Sequence, residues 1–121
     1  AGGLRPRAPR EAVHAADMIG ERVSEVVLVQ ARDWETWSRD HDAVIIDVRE
    51  PFEWAMGTLP GAELIGLGSL FANLDELDRS RAILFVCRSG NRSGVAAVLF
   101  VRHGFDEVAN LPGGLVALGL A

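Results

Sequence analysis

The stretch FVCRSGNRSGV, residues 85–95, holds the chain's one cysteine, Cys87, with Arg88, Ser89, Gly90, Asn91, Arg92, Ser93 and Gly94 directly behind it. A thiol reacts as its thiolate, so chemistry at Cys87 needs something that stabilises negative sulfur near neutral pH. An apolar run, RAILFVC, ends at the cysteine, and a helix-like run, RSGVAAVLFVRHG, follows it. The thiol would then face a helix N-terminus, where unpaired N–H groups and the positive end of the dipole favour an anion. The dipole is worth at most about 2 kcal/mol, roughly 1.5 pKa units on a thiol near 8.5, which brings Cys87 only to about neutrality. Arg88 and Arg92 supply further positive charge. Gly90 and Gly94 allow positive φ angles that turn loop amides inward as a nest, and Asn91 or Ser93 is available as a helix cap. A nucleophilic sulfur, a ring of amides and a guanidinium fork suit covalent catalysis. A lone cysteine closing a buried strand is more often plain packing, but two arginines and two glycines beside it favour an anion loop.

Composition narrows the chemistry. The chain has 121 residues, 49% hydrophobic and 24% charged, which fits one globular domain. All 12 basic residues are arginine, which removes lysine Schiff bases and the phosphate-binding P-loop. A net charge of -5 argues against nucleic-acid or anionic-membrane binding, so an anion site must be local. No apolar run reaches the roughly 18 residues of a membrane span, and AGGLRPRAPREAVHAAD does not resemble a signal peptide, so a cytoplasmic location is expected. One cysteine forms no internal disulfide or CxxC site, and His14, His41 and His103 lie outside metal-ligand spacing, so no metal and no cofactor are expected. His41 and His103 adjoin turn signals and read as solvated surface residues. Ser89 and Ser93 lack the flanking glycines of a nucleophile elbow. GLGSLF, at 66–71, lacks the third glycine of a dinucleotide fingerprint and reads as a loop.

The elements that must position the loop alternate. Residues 1–20, rich in Ala, Arg, Gly and Pro, read as a flexible extension, and residues 21–121 as the domain. EVVLVQ, AVIIDV, RAILFVC and FDEVANL read as strands and GAELIGL as a weaker one. RDWETWSRD, PFEWAMG with Pro51 at its first position, SLFANLDELDR, the run after Cys87 up to Gly104, and PGGLVALGL read as helices. Leu70, Phe71, Leu74 and Leu77 fall at helical spacing within the third of these. The alternation predicts an α/β fold, a parallel sheet with helices on both faces. Ligands gather beyond the carboxyl ends of such strands, where Cys87 stands.

Three segments in order, DVREPFEWAMGTLPGA at 47–62, CRSGNRS at 87–93 and NLPGG at 110–114, together resemble the rhodanese-type sulfurtransferases. The resemblance implies a rhodanese-like, five-stranded parallel sheet with helices on both faces. It also implies that Cys87 is catalytic, alternating between thiolate and persulfide. Sulfur would pass from thiosulfate or a persulfide donor to cyanide or a thiol, with a protein as a possible donor or acceptor. Arg88, Ser89, Gly90, Asn91, Arg92 and Ser93 would bind substrate, their amides holding the persulfide and Arg88 or Arg92 holding a sulfonate. Asp47, Arg49 and Glu53 read as structural, with an internal Arg49 to Glu53 pair. The chain departs from the family at Thr58 and Leu59, where histidine and isoleucine are common, and at Leu118, where a tryptophan often follows the GG. Both departures bear on the rim of the site.

The related dual-specificity phosphatases and arsenate reductases are the nearest rival class. Their loops hold five residues between cysteine and arginine, whereas four separate Cys87 from Arg92. One residue is up to about 3.6 Å of chain, and the shorter loop favours sulfur over a phosphoryl group. A rhodanese-like sulfur carrier or regulatory module is the rival outside straightforward catalysis.

Overall fold

A computed structural model describes residues 21–23 and 25–121; the expected extension over 1–20 lies outside the described residues. Among the described residues six strands form one sheet in the order β1-β2-β6-β5-β3-β4. They are β1 (Glu21–Val23), β2 (Val26–Leu28), β3 (Val44–Asp47), β4 (Glu63–Leu64), β5 (Ile83–Val86) and β6 (Val108–Asn110). The five strands β2 to β6 pair in parallel, as expected, and β1 adds a short antiparallel edge on β2.

The helices are α1 (Trp34–Asp40), α2 (Pro51–Trp54), α3 (Leu67–Ala72) and α4 (Asn91–Arg102), with a 3-10 turn over Leu115–Leu118 where a last helix was expected. GLGSLF is not a loop: Gly66 precedes α3 and the rest of the segment is helical. The helix expected to reach Leu77 instead ends at Asn73, whose N–H already turns back to the Leu70 and Phe71 carbonyls.

β5 carries the core on both faces, which is why its sequence is apolar throughout. Ile83, Phe85 and Cys87 join Leu70 of α3 and Ala96, Ala97 and Phe100 of α4 in one buried layer. Leu84 and Val86 join Trp37 of α1, Leu111 and Leu115 in the other. Phe100 is fully buried, edge-on to Phe85 at 4.9 Å and tilted against Phe105 at 4.5 Å. Truncating it to alanine would cost about 3–5 kcal/mol, so α4 is held firmly over the strand that carries the thiol.

His103 is exposed as expected, but His41 is not. Its ring stacks on Trp37 at 4.2 Å and donates from Nδ1 to the Trp37 carbonyl at 2.8 Å. Nε2 lies 3.6 Å from Glu107 Oε2, with both side chains 5% exposed. The turn signal beside His41 reports the backbone; the ring folds back onto α1.

Candidate active site

Cys87 directly follows β5, and Gly90 starts α4 from a left-handed conformation at φ 96°. No side chain caps the helix. The N–H groups of Gly90 and Ser93 at its start are turned to the sulfur instead. Cys87 Sγ accepts from Gly90 N at 3.1 Å, Ser93 N at 3.4 Å and Ser93 Oγ at 3.3 Å. The cysteine is buried, with 1% of its surface exposed. Burial is the largest single influence on the thiol and pushes it up. Hydrogen bonds from the Ser93 hydroxyl and from the Ser93, Gly90 and Ser89 amides together outweigh burial and hold it below the ordinary thiol value. The expected stabilisation is therefore present, and hydrogen bonds rather than arginine charge lead it.

The loop is braced from below by the NLPGG segment and the 3-10 turn that follows it. Leu115 N donates to the Cys87 carbonyl at 2.9 Å and Val116 N to the Arg88 carbonyl at 3.0 Å. Packing is close enough that both ends of this contact require glycine. A Cβ at Gly90 would strike the Pro112 carbonyl, and one at Gly114, at φ 62°, would strike that of Arg88.

Arg92 is at the loop, but its fork is directed at α2. Nη1 and Nη2 donate to the two Glu53 oxygens at 2.7 and 2.8 Å. The Arg92 bond, acting against partial burial, lowers the Glu53 carboxyl from 4.5 to about 2. This corrects the expected pairing of Glu53 with Arg49. Arg49 instead donates to Asp47 Oδ2 from Nη2 at 2.8 Å and to the Gly57 carbonyl, and both Arg49 and Asp47 are buried. Thr58 Oγ1 completes that cluster, donating to Asp47 Oδ2 at 2.6 Å, so Thr58 serves the buried pair and not the rim. Arg88, Ser89 and Asn91 are exposed around the sulfur, and among the described residues no ion pair holds Arg88.

One participant was not singled out in advance. Asn110, the last residue of β6, accepts from Ser93 Oγ at 2.6 Å and donates from Nδ2 to the Gly90 carbonyl at 3.2 Å. Its place in NLPGG is the only sequence signal that pointed there. A cleft of about 540 Å³ at the opposite ends of the strands, lined by Trp34, Glu35, Ser38, Arg39, Asp42 and Arg81 among others, has neither a cysteine nor a histidine in its lining. No group of three or more His, Cys, Asp or Glu among the described residues could hold a metal. No helix among them is long and apolar enough to cross a membrane.

An anion-ready sulfur at the carboxyl end of a parallel strand, cradled by amides of the following helix, can attack a polarisable atom and carry the resulting charge. Known proteins share this frame. A model of the rhodanese-like domain matches residues 24–120. A sulfurtransferase of Allochromatium vinosum is 31% identical over 100 residues, covering 83% of this chain and 88% of its own. A tRNA uridine(34) hydroxylase of Nitrobacter hamburgensis is 32% identical over 120 residues; the match takes in 93% of this chain and 47% of the hydroxylase. Among solved structures, reduced Bacillus anthracis CoADR-RHD superposes with a TM-score of 0.71 at 31% identity, over 79% of this chain and 17% of that one. With the fold, the cysteine loop and these matches in agreement, the chain belongs to the rhodanese-like domain family, whose members include sulfurtransferases.

Proposed function

We propose that the protein transfers sulfane sulfur through a persulfide on Cys87. The observation that carries this reading is the set of three donors converging on Cys87 Sγ at 3.1, 3.4 and 3.3 Å. Cys87 Sγ⁻ attacks the outer sulfur of thiosulfate, the new S–S bond forms as the old one breaks, and sulfite leaves with the electron pair. The negative charge then rests on the outer sulfur of the persulfide. A thiol or cyanide acceptor attacks that sulfur and returns Cys87 to the thiolate. Loop amides from Arg88 to Ser93 stabilise the outer sulfur, and exposed Arg88 binds the sulfonate of the donor. Arg92, clamped to Glu53, sets the loop in place.

Intact mass spectrometry after exposure to thiosulfate tests the reading. The wild type gains one sulfur atom and loses it to an added thiol, whereas Cys87→Ser gains none, because a hydroxyl is hardly ionised near neutral pH. Sulfur uptake by the serine variant would place the reaction elsewhere. An aryl phosphate assayed alongside separates the phosphatase alternative, for which only slow turnover is expected.

A further inference from the structure

Asn110 and Ser93 are both buried beneath the loop. The Gly90 carbonyl can only accept a hydrogen bond, so the NH2 of the Asn110 amide faces it at 3.2 Å. Oδ1 is thereby turned to Ser93 Oγ, 2.6 Å away, and this contact needs the serine's one hydroxyl proton. Cys87 Sγ, 3.3 Å from the same oxygen, competes for that proton.

We infer that Asn110 is a positioning residue that draws the Ser93 hydroxyl proton away from Cys87 Sγ and releases it only when that sulfur is a bare thiolate. The inference rests on the reading of Cys87 as the sulfur-carrying nucleophile. With a neutral thiol, Ser93 donates to Asn110 and accepts the S–H. With a thiolate, the hydroxyl turns to the sulfur and Asn110 Oδ1, buried, loses its donor. When Sγ⁻ attacks the sulfane sulfur, one S–S bond forms, the donor's S–S bond breaks with its pair on the leaving sulfite, and no proton is transferred. Sγ becomes uncharged, the charge moves to the outer sulfur, and the Ser93 proton returns to Asn110. Sulfur loading thus restores a hydrogen bond that the resting thiolate breaks, so Asn110 raises the unloaded anion relative to the loaded one. Among the described residues the charged group that acts on the thiol is Arg92 of the loop, itself paired with Glu53 of α2 and influenced by Glu50 just before α2; changes at Asn110 alter none of them.

The test is the pH dependence of Cys87 alkylation by iodoacetamide, which needs no sulfur donor and so stands apart from the transferase reading. Asn110→Ala, and Asn110→Leu as a variant that keeps the bulk beneath the loop, should lower the thiol pKa by about 0.5–1, the shift expected for one freed hydrogen bond. Loading by thiosulfate, followed by mass at a pH above both values, should slow several-fold because the thiolate is better stabilised. In a Ser93→Ala background the same Asn110 changes should leave the pKa where that background puts it. A pKa that rises in both Asn110 variants, as mere loosening of the loop would cause, overturns the inference. So does an undiminished shift when Ser93 is already alanine. A wild type that alkylates as expected yet never takes up sulfur refutes the transferase reading and leaves the alkylation result to decide the role of Asn110.

Discussion

Glu53→Gln is the most informative single change, because it removes a charge while keeping the size and the oxygen that accepts from Glu50 N at 3.0 Å. The carboxyl is held at about 2, against an ordinary 4.5, chiefly by its bond to Arg92. By linkage that difference is worth about 3 kcal/mol of folding free energy. Arg92 is 38% exposed, so solvent screens the pair and about 1–2 kcal/mol is the better expectation. The sign follows from a folded value below the unfolded one. The stabilisation is complete above about pH 4.5 and is lost as pH falls towards 2. Urea denaturation of wild type and variant at pH 7, 5 and 3 should therefore give a gap of about 1–2 kcal/mol at the first two pH values and a clearly smaller one at the third. High salt should narrow the gap at pH 7. A gap of the same size at pH 7 and pH 3 would show that Glu53 acts through packing and would refute the charge argument.

Other changes separate the roles of the remaining residues. Arg88→Ala should raise KM for thiosulfate about tenfold with little change in kcat, and leave an uncharged sulfur donor unaffected; steady-state kinetics with both donors decides this. Gly90→Ala places a Cβ against the Pro112 carbonyl at φ 96°, so it should cost more than about 2 kcal/mol in chemical denaturation and abolish sulfur uptake. Thr58→Val deprives Asp47 Oδ2 of a donor at 2.6 Å and should cost about 1–3 kcal/mol, while the alkylation profile of Cys87, which Thr58 does not touch, stays unchanged.

The fold was legible where burial is two-sided. Ile83–Val86 is buried at every position, and its continuous apolar run leaves little doubt about a central strand. β4 is the opposite case: Glu63 and Leu64 lie exposed on the sheet edge, so burial imposes little pattern on them. The α3 region misled for a local reason. Leu70, Phe71, Leu74 and Leu77 keep helical spacing, but Asn73 Nδ2 donates back to the Ser69 carbonyl at 2.8 Å and the chain leaves the helix there. Leu74 and Leu77 still pack against the same core layer, which is what preserved their spacing across the break.

The site divides along the same line between local and long-range contacts. Loop amides reach Cys87 from two to six residues away, so residue types and spacing were enough to anticipate the cradle. Glu53 and Arg92 are 39 residues apart, and Ser93 and Asn110 17 apart, distances across which only the assembled sheet brings partners together. Arg49 stands four residues before Glu53, the spacing at which side chains meet along a helix. That rule holds only inside a helix, and α2 begins at Pro51, leaving Arg49 free to turn onto Asp47. For Asn110 the deciding fact is the pairing of β5 with β6, which sets Phe85 beside Asn110 and so brings the end of β6 under the loop that leaves β5. A one-residue slip would turn the Asn110 side chain to the other face of the sheet and leave Ser93 with the sulfur as its sole acceptor among these groups. The proton balance at Cys87 is therefore a property of strand register, with the loop residues supplying the donors and the neighbouring strand deciding where one of those protons rests.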